Sequence, residues 1–345
     1  MGGHSSGRNA GMIRQAVSDP VLAELTREGR ESLRAADKAW KFNFNSTGSL
    51  LLAKGGGLEE LRRIQKTLAD KKLKAEWWTP AQAARRVSLL KGGDFEEALF
   101  CPTDALVDIH ALLEGFLKQL KRYNVSVRLG LPLRRIRREG GGFLVEAGWE
   151  VFHADKIVNA AGAWAASVGE KAGAFKIPFS AYRRHLYFTR SCPGMKKNWP
   201  FVWDLSYQFY FRPFGKGLML SPCDKELMTM QWVKRAEKAE KTDARIEKTL
   251  RKKLELFSKN FTPLEIARAQ AGLRTMTPDG RFVIGEDPRV KKFYWVAGLG
   301  GHGLTTSFSV GRLAADLIDG RETDLKVTAG VSPSRFGDGD HASKS

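Results

Sequence analysis

The segment that most constrains the fold lies near the end of the chain, where the pattern predicts a strand, a glycine turn and a helix in succession. Residues 293–297 are a short apolar run typical of a buried strand, and glycines follow at 298, 300, 301 and 303. Apolar residues then recur at helical spacing as far as Gly320, a natural helix stop. Glycines let backbone N–H groups approach a ligand closely, and a helix N-terminus favours negative charge. The segment therefore predicts a site for an anionic or electron-rich ligand.

The same turn matches the pattern G-x-G-x-x-G, but a dinucleotide phosphate site is disfavoured there. That motif requires a second strand after the helix, ending in an acidic residue that binds a ribose hydroxyl. The chain after Gly320 is short, and residues 332–345 show no apolar period. Two interpretations remain, namely tight packing of strand on helix and a helix N-terminus directed at a cofactor ring. The pattern favours the second.

The length and composition are those of a soluble globular protein. A chain of 345 residues can bury a large core, which we expect to be divided between two domains. No run of eighteen apolar residues is present, and the N-terminus has no apolar core of a secretory signal. The cysteines Cys101, Cys192 and Cys223 are scattered and odd in number, which suggests a reducing compartment and no metal cluster. A cytoplasmic location is therefore expected.

The formal net charge of +19 favours polyanions, anionic membrane surfaces or acidic substrates as partners. Basic residues are densest at 134–138 and 234–259, and the second run lies on a predicted amphipathic helix, so that a solvated outer face explains it. No zinc-finger spacing or basic zipper accompanies the charge. Nucleic-acid binding is therefore not expected. Polyanion binding stays open as an alternative function, and peripheral membrane contact stays open as a property.

Helices are predicted from apolar periodicity and from capping residues. They are a helix at 19–40 with Pro20 in its first turn, one at 58–68 after three glycines, a short one from Thr79 and Pro80, one with apolar residues from 109 to 120 capped by Thr103 or Asp104, one from Trp164, and one at 231–259.

Strands are predicted from alternation between apolar and polar residues. They are a pair within 42–52, a strand end or loop at 98–102, strands at 125–129, 133–138, 143–147, 149–152 and 154–158, and an aromatic antiparallel sheet over 182–220. Residues 269–285 are predicted to be a loop with a turn at Pro278, Asp279 and Gly280.

Four stretches stand in an order that resembles the FAD-dependent D-amino-acid oxidase superfamily, which includes glycine oxidase, sarcosine oxidase and bacterial D-amino-acid dehydrogenases. They are SSGRNAGMI at 5–13, LPLRRI at 131–136 followed by DKIVNAAGAW at 155–164, GLRTMTPDGRFVIG at 272–285, and GLGGHGL at 298–304. The resemblance extends over roughly 5–325. It implies an α/β (α+β) fold, in which a parallel FAD-binding sheet with helices is interrupted by a mainly antiparallel substrate domain.

One part of the family pattern is missing. Family members begin with a strand, G-x-G-x-x-G, a helix and a strand ending in an acidic residue, on the order of thirty-five residues that hold the FAD pyrophosphate and ribose. Here the SSGRNAG segment that follows this unit already starts at residue 5. A misplaced start codon, a second chain that supplies the unit and a degraded flavoprotein are the three explanations that remain open. An N-terminally truncated parallel sheet would expose apolar surface.

The resemblance also implies a division of the chain. An incomplete FAD-binding domain would comprise 1–42, 97–180 and 265–330. The substrate domain would comprise 43–96 and 181–264, and 331–345 would be a disordered tail.

Three groups of residues are implied as cofactor contacts. They are Ser6, Arg8, Asn9, Ala10 and Gly11 along the flavin and phosphates; Leu133, Ala161 and Gly162 through their backbone; and Gly300, Gly301, His302, Gly303 and Leu304 at the pyrimidine end of the flavin. Small residues allow close approach, Arg8 offsets phosphate charge, and aligned N–H groups stabilise negative charge on the reduced ring. The alternatives are an ordinary polar loop, a plain strand position for Leu133 and a structural role for His302.

For the substrate, the resemblance implies that Arg274 binds a carboxylate as a bidentate pair. Arg274 follows Gly272 and Leu273 as in the family, but Thr275 stands where proline is usual. Arg14 matches a carboxylate position of sarcosine oxidase with weaker support. Tyr210 and Arg212 either line the substrate cavity or serve packing. Covalent flavin attachment is not expected at Gly272, which occupies the position of the cysteine in sarcosine oxidases.

The implied function is an FAD-dependent oxidoreductase that oxidises the C–N bond of a small amino acid or secondary amine. Hydride passes from the carbon bearing the amine to flavin, and the resulting imine hydrolyses. Positioning and a carboxylate clamp are the protein's contributions. A catalytically impaired remnant, one subunit of a split flavoprotein and a basic polyanion-binding protein are the alternatives. The substrate, the electron acceptor and the oligomeric state stay open.

Overall fold

A computed structural model describes residues 2–229 and 240–337. Its strands are β1 (Met12–Ile13), β2 (Ser49–Ala53), β3 (Glu76–Trp78), β4 (Glu97–Cys101), β5 (Ala105–Leu106), β6 (Leu133–Glu139), β7 (Gly142–Ala147), β8 (Glu150–Ala154), β9 (Ile157–Asn159), β10 (Ser180–Thr189), β11 (Phe201–Asp204), β12 (Phe209–Phe214), β13 (Gly217–Ser221), β14 (Glu226–Met228), β15 (Ile266–Met276), β16 (Val283–Glu286) and β17 (Phe293–Ala297). Its α-helices are α1 (Pro20–Trp40), α2 (Gly57–Asp70), α3 (Pro80–Arg86), α4 (Ile109–Arg122), α5 (Ala165–Ala172), α6 (Ala244–Phe257), α7 (Ser307–Asp319) and α8 (Leu325–Val331).

A large sheet dominates one side of the molecule. It has nine strands in the order β14-β10-β13-β12-β11-β2-β4-β3, with β15 also paired to β10. Its pairs are antiparallel except that β11 runs parallel to β2. The aromatic antiparallel sheet predicted over 182–220 is therefore confirmed. The loop predicted from 269 is wrong, because β15 pairs with the whole length of β10, and only the turn at 278–280 is as predicted.

The faces of this sheet follow from alternation along each strand. In β12, Phe209 and Phe211 pack in one core cluster with Leu254 and Phe257 of α6. The intervening Tyr210 faces the opposite side, where it packs with Leu186 of β10. The second face is the one on which a cavity lies.

A small sheet joins β16, β17 and β9, with β17 parallel to β9 and antiparallel to β16. Ile284 packs with Leu25 of α1 and Leu313 of α7, whereas Val283 packs on the other side with Phe293 and Trp295. Strands covered by helices on one face, beside a mainly antiparallel sheet, form the predicted fold class. The strand at 293–297 and the stop at Gly320, with φ of 70°, are also confirmed, but the helix begins at Ser307 after a run of turns from 300.

Helix α1 is held at both its cap and its middle. The Asp19 carboxylate accepts hydrogen bonds from the backbone N–H groups of Val21 and Leu22, each at 2.9 Å, and confirms the predicted start. At Gly29 the helix lies directly against the chain before α7, where an added Cβ would be 2.2 Å from the Thr305 carbonyl oxygen. Because only glycine allows this approach, α1 fixes the position of the segment that leads into α7.

The cap predicted for α4 is wrong. The N-cap is Asp108, which accepts from the backbone N–H groups of His110 and Ala111. Asp104 is fully buried instead, and accepts from the Gln15 backbone N–H at 2.8 Å and from the Ser49 hydroxyl at 2.6 Å. It therefore joins the N-terminal segment to β2 of the large sheet.

Two strand predictions also fail. In the range 42–52 the structure has one strand, β2, and a single bridge between Asn45 and Leu106 in place of a pair. Residues 125–129 form no strand, and Val125, Val127 and Leu129 are exposed. The segment at 98–102, left open between strand end and loop, belongs to β4, whereas the ribbon β6-β7-β8 and the strand before Asn159 are as predicted.

The tail predicted to be disordered from 331 is wrong for its first residues. Val331 ends α8, and a 3₁₀ turn at Pro333–Phe336 buries Phe336. Residues 338–345 lie outside the described residues, as do residues 231–239 of the predicted helix at 231–259. The described part of that range contains α6. The two-domain division stays a prediction, and β4 and β15, assigned to its FAD side, lie in the large sheet. Among the helices described, none combines the length and apolar character that crossing a bilayer requires.

Candidate functional site

A cavity of about 400 Å³ lies between the large sheet and the small one. Parts of three segments predicted to hold a cofactor line it together: residues 5–10 except Gly7, Gly162 with the nearby Ala160, and residues 298–304 except His302. Apolar side chains of α4, including Leu113 and Phe116, form a further wall. Segments distant in sequence thus meet around one space large enough for part of a cofactor and a small substrate.

The second face of the large sheet forms the floor of the cavity. Trp203 and Tyr210 are direct cross-strand partners, with ring centroids 4.8 Å apart, and Leu186 lies beside them. Tyr210 is buried, and burial raises the pKa of its hydroxyl. The predicted cavity position of Tyr210 agrees with this geometry, while its contact with substrate stays a prediction.

Arg274 projects from β15 into the cavity, next to the glycine turn. A Cβ added at Gly301 would lie 2.8 Å from its Nη1 atom and 3.2 Å from Cζ. Burial lowers the pKa of Arg274, and the charge of Arg184 lowers it further. Among the described residues no carboxylate forms an ion pair with Arg274, so its charge is available to a ligand.

Arg14 enters the cavity from the N-terminal segment. Its Nη2 atom lies 3.3 Å from Nε2 of His302, its guanidinium carbon lies 4.2 Å from the centroid of the Trp203 ring, and its backbone N–H donates to the Thr305 hydroxyl at 3.0 Å. Burial lowers the pKa of Arg14 to about 10. The pKa of His302 is held well below its ordinary value by burial first, and then by Arg14 and Arg274. His302 supports Arg14 and is not among the described residues that line the cavity.

Arg8 ties the first residues of the chain to β15. Its Nη1 atom donates to the Ala271 carbonyl at 2.9 Å and pairs with the Glu240 carboxylate at 3.2 Å, while the Ser5 hydroxyl donates to the Leu273 carbonyl at 2.5 Å. The charge of Arg8 is thus compensated within the protein. Arg8 lines the cavity, but it is less available to a ligand than Arg274.

The remaining residues of the N-terminal segment divide into two kinds. Ser6, Asn9 and Ala10 line the cavity. Gly11 does not: it has φ of 66°, and a Cβ there would lie 2.7 Å from the Val107 carbonyl oxygen. Gly11 is therefore required for close packing of the chain rather than for an opening to the cavity.

The turn after β9 is fixed by Asn159. Its side-chain amide donates to the Ala165 carbonyl at 2.9 Å, and its side-chain oxygen accepts from the Ala161 backbone N–H at 3.3 Å. Gly162 lines the cavity with φ of 55°, whereas the described lining residues do not include Ala161. Leu133 lies in β6, where it packs against a core cluster, and it is not among the described residues that line the cavity.

The glycine turn contains backbone N–H groups without an acceptor in the described part of the chain. The Gly300 N–H donates to the Thr275 carbonyl at 2.9 Å, and the His302 N–H donates to the Leu299 carbonyl at 3.0 Å. Within the described part of the chain, the N–H groups of Gly301, Gly303 and Leu304 have no such acceptor. The turn itself can therefore supply free N–H groups to the cavity, which Gly301, Gly303 and Leu304 line.

Sequence reasoning missed Arg184 and Trp203, which also line the cavity, and it overvalued Arg212. The Arg212 guanidinium donates to its neighbour's carbonyl at Pro213, 3.0 Å away, and lies outside the described lining. Burial lowers the pKa of Arg212 to about 10. The alternation along β10 places Arg184 on one of the two faces of the strand, but the sequence alone does not say which face meets the cavity.

The chain was compared with protein families and with known proteins. The family described as FAD dependent oxidoreductase (DAO) matches residues 1–317. The mitochondrial dimethylglycine dehydrogenase of Mus musculus is 26% identical over 253 residues, which are 69% of this chain and 29% of that protein. The chain therefore spans less than a third of that relative's length.

Two solved structures share the fold. The L-proline dehydrogenase from P. horikoshii superposes with a TM-score of 0.86 at 22% identity, covering 97% of this chain and 88% of the other. The glycine oxidase from Geobacillus kaustophilus superposes with a TM-score of 0.81 at 20% identity, covering 94% and 88%.

Proposed function

The chain belongs to the FAD dependent oxidoreductase (DAO) family, and from this premise we propose that it oxidises the C–N bond of a small amino acid or secondary amine that carries a carboxylate. FAD is the cofactor of this family. The observation that supports the proposal is the position of Arg274, a half-buried arginine without an ion-pair partner among the described residues, directly beside the turn that contains free N–H groups.

The residues around the cavity fit an anionic, electron-rich cofactor. The described lining contains no Asp or Glu side chain, and it combines four arginines with the free N–H groups of Gly301, Gly303 and Leu304. Residues 5–10, Gly162 and the glycine turn would hold FAD. When bound, FAD supplies the acceptor for the hydride that leaves the substrate carbon.

The chain's own contribution to the reaction is positioning and charge. Arg274 would bind the substrate carboxylate as a bidentate pair and so fix the adjacent carbon. Trp203, Tyr210 and Leu186 would form the surface against which the rest of the substrate packs. Because the chain supplies no carboxylate base here within its described lining, the amine must lose its proton without one.

The charge of the cavity assists that proton loss. Arg14, Arg184 and Arg274 all line it, and like charges lower the pKa of a bound ammonium group. The substrate is therefore expected to react as the neutral amine, whose lone pair stabilises the developing imine. Water then hydrolyses the imine.

Anaerobic reduction tests the proposal. The full natural chain, purified with FAD, is mixed with N-methylglycine, dimethylglycine, proline or D-alanine, and the visible flavin absorbance is followed. Bleaching by at least one of these amines, and none by the matched carboxylates without nitrogen, is expected. Bound FAD that none of a broad set of amino acids and amines reduces would contradict the proposal.

Supply of a nucleotide-binding unit by a second chain, a cytoplasmic location and peripheral contact with an anionic membrane all stay predictions. The first is tested by titrating the purified chain with FAD, alone and beside candidate chains from its own genome. Tight binding by the chain alone would remove the need for a second one.

A further inference from the structure

Arg184 is placed next to Arg274 by the pairing of β10 with β15. Arg184 is the direct partner of Gly272, and Arg274 is the direct partner of Tyr182. The two arginines are therefore diagonal neighbours on the same face of the sheet, roughly 7–8 Å apart along the backbone. Gly272 contributes no side chain between them, so the cavity reaches both guanidinium groups.

The Arg184 side chain is buried and forms no ion pair with a described carboxylate. The residue is 8% exposed, and its Nε and Nη1 atoms are buried with no hydrogen-bond partner among the described residues. A buried guanidinium that lacks hydrogen bonds and an anion is strongly unfavourable. A side chain of this kind, at the edge of a cavity, indicates that a bound ligand supplies the missing anion and hydrogen-bond acceptors.

The nearby carboxylates are already occupied. Arg183, the preceding residue on the opposite face, pairs with Glu226 at 2.8 Å. Asp224 is the acidic group whose pKa Arg184 helps to lower, but both its oxygens bind His185, at 3.0 Å to the backbone N–H and at 2.7 Å to Nδ1. No carboxylate of the described residues forms an ion pair with Arg184.

We propose that Arg184 binds a second acidic group of the substrate, so that the site selects amino dicarboxylates. Arg274 holds the carboxylate next to the reacting carbon, and Arg184 holds the carboxylate of the side chain or of the second nitrogen substituent. The proposal rests on the proposed function for the reaction itself. Two guanidinium groups held apart on one rigid sheet face are better matched by a ligand with two anionic groups than by a ligand with one.

Equilibrium binding tests the inference without turnover. The FAD-loaded protein is titrated with succinate and with propionate, which differ by one carboxylate, and binding is followed by calorimetry or by the flavin absorbance. Succinate is expected to bind more tightly. In Arg184→Gln its Kd should rise at least about tenfold, the loss expected for a charged hydrogen bond, and the Kd of propionate should change little.

Two variants serve as controls. Arg184→Lys keeps the charge and should retain part of the preference for succinate. Arg268→Gln removes an exposed arginine of β15, the strand paired with β10, which does not line the cavity, and should leave both constants unchanged. Equal affinity for the two ligands in the natural protein, or an equal loss of both in Arg184→Gln, would overturn the inference.

Turnover adds an independent comparison between N-methylaspartate and N-methylalanine, each as both enantiomers. The kcat/KM of N-methylaspartate should exceed that of N-methylalanine. In Arg184→Gln this preference should be lost, because the KM of N-methylaspartate rises. A preference for N-methylalanine in the natural protein would overturn the inference while leaving amine oxidation intact. If neither amine were oxidised, the proposed function would be in question, and the succinate titration would still decide the role of Arg184.

Discussion

The Nη2 atom of Arg14 lies 3.3 Å from Nε2 of His302. A guanidinium group has only donors, so Nε2 must be the acceptor and the imidazole must be neutral, with its proton on Nδ1. Burial acts in the same direction, because it lowers the pKa of His302. His302 therefore orients a cation of the cavity and does not itself add charge.

The protonation state of His302 can be observed directly. We expect NMR of the ring nitrogens to show the neutral Nδ1–H form at neutral pH, because the pKa of His302 is held well below its ordinary value. In Arg14→Gln the pKa of His302 should rise towards its ordinary value of about 6.5, because a neighbouring positive charge is removed, whereas Arg14→Lys should raise it less. A doubly protonated ring near neutral pH in the natural protein would contradict this assignment.

Removing the Arg274 guanidinium should weaken carboxylate binding. In Arg274→Ala the Kd of a substrate carboxylate or its unreactive analogue should rise about 10- to 100-fold, the loss expected for a charge-assisted pair. Arg274→Lys should recover only part, because an ammonium group does not bind both oxygens in a plane. An unchanged Kd in Arg274→Ala would rule out the clamp.

Gly301 tests the position of the same arginine without removing it. Its φ is not positive, so alanine is tolerated by the backbone, but the new Cβ would lie 2.8 Å from Nη1 of Arg274. Gly301→Ala is therefore expected to raise KM for carboxylate substrates about tenfold with little change in Tm. An amine without a carboxylate, if it is oxidised at all, provides the control, since its KM should be the same in Gly301→Ala as in the natural protein. Equal effects on both substrates would show that the alanine disturbs the cofactor side instead.

The parts of this molecule that the sequence predicted are those set by local chemistry. Asp19 followed by Pro20 defined the start of α1, and the glycine spacing from Gly298 defined the turn at the cavity. Asp104 and Asp108 are both able to cap α4, and only the contacts of Asp104 with Gln15 and Ser49 decide between them. Contacts of that kind are made by residues far away in the chain.

Arg184 was missed, and residues 125–129 were wrongly predicted to form a strand, for related reasons. Alternation identifies two faces of β10 but not which one meets the cavity, since this depends on register with β15, where the partner of Arg184 is Gly272. At 125–129 the alternation is that of a strand, yet no described strand pairs with it, so the ladder hydrogen bonds that define a strand are not made.

Asp104 should give the stability of the fold a pH dependence of unusual sign. Burial raises its pKa from 3.8 to about 6, so the folded state binds the proton more tightly than the unfolded state. Its contribution to the free energy of unfolding is at most about 3 kcal/mol. This contribution is fully present below about pH 4 and is lost as pH rises through 6. Burial raises the pKa of Asp204 to about 6 as well, which adds to the same window.

Urea unfolding at pH 4, 5, 6 and 7 measures this dependence. Asp104→Asn keeps the shape of the side chain and removes the titration, so the free energy of unfolding should fall less between pH 4 and 6 than in the natural protein. Asp204→Asn should remove the remaining part. If Asp104→Asn had the same slope as the natural protein, Asp104 would not be the titrating group.

The contact between α1 and the chain before α7 predicts a reversal of the usual effect of glycine replacement. Alanine in place of glycine within a helix normally stabilises it by about 1 kcal/mol. At Gly29 the added Cβ would lie 2.2 Å from the Thr305 carbonyl oxygen and 2.9 Å from Cα of Thr306, so Gly29→Ala should instead lower the free energy of unfolding by about 1–3 kcal/mol. Gly311 in α7 is the matched control, because it is exposed and nothing lies within 4 Å of its added Cβ. Gly311→Ala should raise Tm, whereas Gly29→Ala should lower it. A Gly29→Ala protein with a higher Tm than the natural protein would show that α1 and the chain before α7 are not in the contact described.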